Sequence, residues 1–209
     1  MKRIAPLLAL ASALTLAACS EPAEPVQDGA ETGEAAEPVM TEEIEELSTI
    51  DAGLAVGTMA PLNAKFNTGD GERTLENVLE DGAAILVFTR SVEWCPFCQT
   101  QLKGINAIAG DLEERGYQLY GVSYDAVESQ DRFSKNQMLE YAMLSDESSA
   151  AIDAFGLRDP QYTEGKAVGV PYASVVVIDK DGKITAKSVS GDFKKRPTNE
   201  QLLAIIDAI

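Results

Sequence analysis

The sequence predicts an α/β domain, a central mixed sheet flanked by helices, on three observations. Continuous apolar runs of strand length alternate with segments whose apolar residues recur every three or four positions, an order that implies parallel strands with helices on the sheet faces. The last two strands are joined by the tight turn Lys180-Asp181-Gly182-Lys183, which adds an antiparallel edge. The stretch from 51 to 209 is long enough to bury about 70% of its unfolded surface in one core.

The elements follow in chain order. Ala83 to Thr89 is an apolar run of the kind buried on both sheet faces. After it, apolar residues at Leu102, Ile105, Ala109 and Leu112 make one helical stripe, closed by Gly116. Tyr117 to Ser123 is the next strand, and Asp125-Ala126-Val127-Glu128 reads as a capping box opening a second helix. Tyr141 to Leu144 is a short strand, and Asp146 caps a helix running to Phe155. Ser174 to Ile178 and Ile184 to Val189 flank the Asp-Gly turn. Thr198-Asn199-Glu200-Gln201 is a capping box for a terminal helix with Leu202, Leu203, Ile206 and Ile209 on its face. The predicted order is βαβα(β)αββα.

The ends are different material. Residues 1–18 carry Lys2 and Arg3 followed by an apolar run to Ala18, shorter than the about 20 residues a membrane span needs, and read as an export signal. The run ends in Leu16-Ala17-Ala18-Cys19, which resembles the bacterial lipoprotein box. That resemblance implies cleavage before Cys19, lipid on its sulfur, and a protein held to a bacterial membrane facing the periplasm; Ser20 points to the outer membrane. Residues 20–50 hold ten acids and no Lys or Arg. We read 19–50 as the lipidated cysteine and an acidic tether, of order 30 Å in mean span, and 51–209 as the folded domain. That domain has 24 acids against 15 bases, near −9, which excludes nucleic acid as a partner.

With Cys19 lipidated, Cys95 and Cys98 are the remaining thiols, and an oxidising compartment lets them pair. Their chemistry follows from position. Cys95 falls where strand meets helix, and Cys98 one turn in. Pro96 suits the first helical turn, where a missing N–H loses no bond. A sulfur at a helix N-terminus faces unpaired N–H groups and the positive dipole end, so Cys95 is expected to titrate below the about 8.5 of a free thiol. Cys98 lies on the stripe with Leu102 and Ile105 and is expected to be buried. That asymmetry suits a dithiol couple in which Cys95 attacks and Cys98 resolves. A structural zinc site needs four Cys or His ligands, and the chain has no histidine, so no metal and no cofactor are expected.

Residues from about Val56 to Ile209 resemble the redoxin group (AhpC/TSA-like) of the thioredoxin-like superfamily. The resemblance rests on Gly57-Thr58-Met59-Ala60-Pro61, on Ile85-Leu86-Val87-Phe88 followed by Trp94-Cys95-Pro96-Phe97-Cys98, and on Ser174 to Lys183. It implies a thioredoxin-like fold and a cis Pro171 beside the cysteines, with the backbone of Val170 free to pair with a substrate strand. Two activities come with it. The peroxidases of the group read P-x-x-x-T-x-x-C, but the threonine place here is Val92 and the proline place Phe88, and no arginine flanks Val170-Pro171. The Trp-Cys-Pro-Phe-Cys segment resembles membrane-tethered thiol-disulfide oxidoreductases, so disulfide exchange with exported proteins is the leading expectation. Reduction of hydroperoxides is the alternative, and a non-catalytic binding protein the third. Either activity implies an upstream thiol reductant protein. Arg90, and more remotely Arg158, are candidates to supply positive charge to Cys95. Glu93 is the candidate acid/base group, because the position of thioredoxin's buried carboxylate holds Thr89. Trp94 is expected to cover the sulfur, with Pro96 and Phe97 on the docking surface.

Overall fold

The computed structural model describes residues 48–209. The predicted signal, Cys19 and all but the last three residues of the tether lie outside them. Seven strands form one sheet: β1 Lys65–Thr68, β2 Gly71–Thr74, β3 Ala83–Phe88, β4 Tyr117–Ser123, β5 Ala142–Ser145, β6 Ala173–Ile178 and β7 Ile184–Ser190. Their order is β2-β1-β5-β4-β3-β6-β7. The central β5-β4-β3 pairs are parallel, while β6 and β7 add antiparallel on one side and β1 and β2 on the other. The helices are α1 Leu75–Leu79, α2 Pro96–Ile105, α3 Ala109–Glu114, α4 Val127–Gln137, α5 Ala150–Ala154 and α6 Asn199–Asp207.

Strand alternation divides the core. Ala84, Leu86 and Phe88 of β3 face the layer built from α1, α5 and Phe155, while Ile85 and Val87 face Leu102, Ile105 and Leu112 and the terminal Leu202, Ile205 and Ile206. Burial of each such side chain contributes about 1.5–3 kcal/mol, so β3, covered on both faces, fixes the level at which the chain leaves the sheet. The cysteines follow directly from that exit.

Several expectations are corrected. The hairpin of β1 and β2 and helix α1 precede the first predicted strand. Their strands are four residues each and mostly polar, too short to show a period, although Thr74 and Asn77 make a capping box. The single stripe from 98 to 112 is broken into α2, a 3₁₀ turn at Asn106–Ile108, and α3. Gly104 and Gly110 weaken the helix there, and the Asn106 side chain is turned to Met138 O and Glu140 N. The capping box at 198–201 forms as predicted, but Ile205 rather than Ile209 completes the buried face of α6. Asp125 does not cap α4, whose cap residue is Ala126 with no side-chain bond. Residues 48–50, assigned to the tether, belong to the folded body. Thr49 N donates to Val189 O at 3.0 Å, Gly191 N donates to Thr49 Oγ1 at 2.9 Å, and Ile50 packs on the core.

Candidate redox site

Cys95 is the N-cap of α2, and Pro96 begins the helix. The Cys95 Sγ accepts from the Cys98 N–H at 3.3 Å, the orphan-donor contact that a sulfur at this position makes. The two cysteines form a disulfide with Cα atoms 5.2 Å apart. Both are buried, Cys95 at 2% and Cys98 at 0% exposure, so the expected contrast in burial is absent.

The loop that delivers Cys95 is strapped from behind by Asp125. One carboxylate oxygen accepts from Ser91 Oγ at 2.7 Å; the other accepts from Val92 N and Ser123 Oγ, each at 2.7 Å. Ser91 Oγ in turn accepts from the N–H groups of Glu93 and Trp94, and Gln99 Nε2 donates to Val92 O at 2.7 Å. Burial pushes the Asp125 carboxyl above its ordinary value, and these donors pull against the rise. Val92 itself, at the threonine place of the peroxidase pattern, packs into the core.

Two guanidinium groups stand on the other side. Arg90 is 6% exposed and lies over three rings, with its guanidinium carbon 4.3 Å from the Phe193 centroid, 4.6 Å from Tyr162 and 5.1 Å from Trp94. Its Nε is buried with no hydrogen-bond partner, as is Thr89 Oγ1. Arg196, from the loop between β7 and α6, places Nη2 3.2 Å from Cys98 Sγ, gives Nη1 to Gln101 Oε1, and donates Nε to Phe193 O at 2.9 Å. Burial, then repulsion by Arg90, lowers Arg196 to about 10. Among the described residues neither arginine has a carboxylate within ion-pair distance. Phe193 closes the cover edge-on to Phe97, which is 44% exposed. Beside it a groove of about 400 Å³ runs along Pro96, Phe97, Gln101, Lys194 and Arg196.

The remaining predicted residues divide. Trp94 lies against the site; its Nε1 donates to Tyr124 OH at 2.9 Å, and Lys166 Nζ is 4.9 Å from its ring. Glu93 is exposed and turned to Ser129, whose Oγ donates to it at 2.6 Å. Arg158 is taken up by Asp153 in a two-point ion pair. Val170 is not open to a substrate strand: its N–H donates to Ala167 O at 3.2 Å and its C=O accepts from Asp159 N at 3.0 Å, while Pro171 bridges to Arg158. The cause is Gly169, whose φ of +90° turns the chain back into that bridge; a side chain there would meet Ser149 Oγ at 2.5 Å. The sequence reading missed Arg196, Phe193, Tyr162 and Asp125. Arg196 and Phe193 sit in a Lys-Lys-Arg segment that reads as solvated charge.

Comparison with known proteins agrees with this geometry. A model described as the AhpC/TSA family matches residues 56–187. The chain is 30% identical over 142 residues to "Peroxiredoxin Bcp" of Escherichia coli (strain K12), covering 68% of this chain and 88% of that protein. It is 23% identical over 168 residues to "1-Cys peroxiredoxin PER1" of Zea mays, covering 73% and 72%. Among solved structures, reduced Prx3 from Vibrio vulnificus superposes with a TM-score of 0.66 at 21% identity, over 74% of this chain and 99% of that one. At that identity the likeness establishes the fold, which is thioredoxin-like with a mixed sheet between helices.

Proposed function

Because the chain belongs to the AhpC/TSA family, in the redoxin group of the thioredoxin-like superfamily, and is an oxidoreductase, we propose that it is a thiol peroxidase that reduces hydroperoxides through Cys95 and Cys98. This reverses the order in which the sequence alone ranks the two activities. The observation that carries it is a buried, uncompensated Arg90 held on aromatic faces, one of them the ring of Trp94, the residue joined to a cysteine at a helix N-terminus. Such a cation has a clear use when the sulfur is a thiolate and when charge develops on a peroxide oxygen.

In the reaction, the Cys95 thiolate attacks one oxygen of ROOH. The S–O bond forms, the O–O bond breaks, and RO⁻ leaves and takes a proton to become ROH, leaving Cys95 as sulfenic acid. Cys98 then displaces hydroxide, which is protonated to water, and the disulfide forms. A thiol reductant protein restores both thiols by two exchanges. The arginine takes over what Val92 cannot supply, since the hydroxyl of the preceding residue, Ser91 Oγ, is committed to Asp125.

Two features weigh against exchange with protein disulfides. Both cysteines are buried, with Arg196 against the Cys98 sulfur, and the Val170 backbone is already paired. The test is to mix the reduced full chain with hydrogen peroxide, with tert-butyl hydroperoxide and with an oxidised model protein, quench rapidly, and follow thiols by mass. Peroxide is expected to win by at least about 100-fold in second-order rate constant, the scale of one well-placed charge. Faster loss of thiols to the protein disulfide would return the assignment to exchange. The Leu16-Ala17-Ala18-Cys19 box would set this enzyme on a bacterial membrane. A Cys19→Ala chain that stays in the membrane fraction would refute the anchor.

A further inference from the structure

We propose that Arg196 is a catalytic residue for the second chemical step, holding Cys98 as a thiolate once Cys95 has become a sulfenic acid. The inference rests on the peroxidase reading for its first step and goes beyond it by assigning a separate cation to the resolving thiol.

The contact itself is specific. The Arg196 Nη2 reaches Cys98 Sγ, whereas the Cys95 Sγ takes the Cys98 N–H. In the oxidised protein Sγ is a weak, neutral acceptor, a poor return for a guanidinium drawn out of water. The other Arg196 donors go to a backbone carbonyl and a neutral amide, Phe193 O and Gln101 Oε1. Nothing in this set balances its charge. A thiolate at Cys98 does, with the same N–H then making a charge-assisted bond.

The order of events follows from crowding. Two thiolates one helical turn apart repel, so the reduced couple ionises once, and the helix N-terminus, with the Cys98 N–H turned to the Cys95 sulfur, favours Cys95. Reaction with peroxide converts that anion into neutral S–OH. The repulsion vanishes, and Cys98 can lose its proton against Arg196. Its sulfur attacks the sulfur of Cys95–S–OH, the S–S bond forms, the S–O bond breaks, and hydroxide leaves with a proton as water. The helix N-terminus and Arg196 thereby serve the two thiols in turn.

The charged and titratable groups around the couple come from every neighbouring element. From the loop after β3 these are Arg90 and Glu93, the latter turned to Ser129. From the end of β4 they are Asp125, bound to Ser91 and Val92, and Tyr124, bound to Trp94. From the segment before β6 they are Tyr162 on Arg90 and Lys166 on Trp94. From the cover loop they are Lys194, over Phe97 and Phe193, and Arg196. Of these groups, Arg196 is the one that reaches Cys98 Sγ.

Two measurements test it on the full chain. In a Cys95→Ser protein, which leaves a neutral hydroxyl where the sulfenic acid would be, Cys98 is titrated by thiolate absorbance at 240 nm. It is expected below the about 8.5 of a free thiol, and to rise by about one unit in the double variants with Arg196→Gln or Arg196→Met. Methionine keeps bulk over the sulfur and serves where glutamine does not fold. An unchanged midpoint overturns the proposal. Because this titration uses no peroxide, its failure is separate from failure of the peroxidase reading. In the otherwise native chain, Arg196→Met is expected to lengthen the sulfenic acid lifetime about tenfold at pH 7, with a rate that climbs with pH, and to raise sulfinic acid under excess peroxide. Arg196→Lys, which keeps the charge, is expected to restore most of the rate. A lifetime unaltered by loss of charge, or a lysine variant as slow as the methionine one, overturns it.

Discussion

Two charges of opposite sign are buried around one short loop, and they are treated in opposite ways. Asp125, 6% exposed, is surrounded by three donors at 2.7 Å and has no cation within ion-pair distance among the described residues. Arg90, equally buried, rests on three aromatic rings and leaves its Nε unbonded. A constant charge is well served by fixed hydrogen bonds, which also hold the Ser91–Val92 backbone in place. A cation that must answer a charge appearing and disappearing during turnover is better held by ring faces, which stabilise it without occupying its N–H groups. On the proposed function, the carboxylate serves the structure and the guanidinium serves the chemistry.

The sharpest way to break this contrast is to remove each charge and compare stability with activity. Asp125→Ala strands three buried donors, each costing about 1–3 kcal/mol, and is expected to destabilise the protein by about 3 kcal/mol, near 6–12 °C in Tm. Calorimetry showing no loss would remove Asp125 from its structural role. Arg90→Met keeps the bulk in the aromatic box and is expected to leave stability unchanged or higher, because an uncompensated buried charge is gone, while the peroxide rate constant falls about 100-fold. A variant that unfolds yet reacts normally when folded would invert the comparison.

A finer distinction comes from pH. The folded-state pKa of Asp125 is raised, so the folded protein holds its proton more tightly than the unfolded chain does. The stability from this group is full below the ordinary carboxylate value and is lost as pH rises through the raised one. The stability of Asp125→Asn relative to the native chain should therefore climb through that interval and then level off in denaturant titrations. A flat difference would show the carboxyl unshifted. The smallest effect belongs to Glu93. Turned outward to Ser129, it is expected to change the peroxide rate less than about twofold as Glu93→Gln, the scale of exposed charges; a tenfold loss would make it the missing acid/base group.

Much of the frame was legible because local rules agree with the fold. The run Ala83–Phe88, the stripe through Leu102 and Ile105, and the Thr198 capping box each carry their own period or cap. The cysteines were legible for the same reason, since Pro96 and the helix start fix where Cys95 falls. Asp125 was misread because its sequence context is that of a cap, whereas burial beside Ser91 gives its carboxylate better donors than α4 does. Arg196 was invisible. Ninety-eight residues separate it from Cys98, and only the pairing of β6 and β7 brings its loop across α2. The open backbone expected at Val170 failed on Gly169, whose turn no hydrophobic pattern records.

Trp94 gives the site a property of a different kind. It is the one tryptophan in the chain, joined by a peptide bond to Cys95, with cations over its ring and its indole N–H tied to Tyr124. Its emission is therefore the emission of the redox couple. A disulfide quenches a neighbouring indole, so the reduced protein should glow and the oxidised one dim. The colour of that light should move as charge comes and goes among the sulfurs. The molecule carries an optical gauge of its own oxidation state, readable without a label.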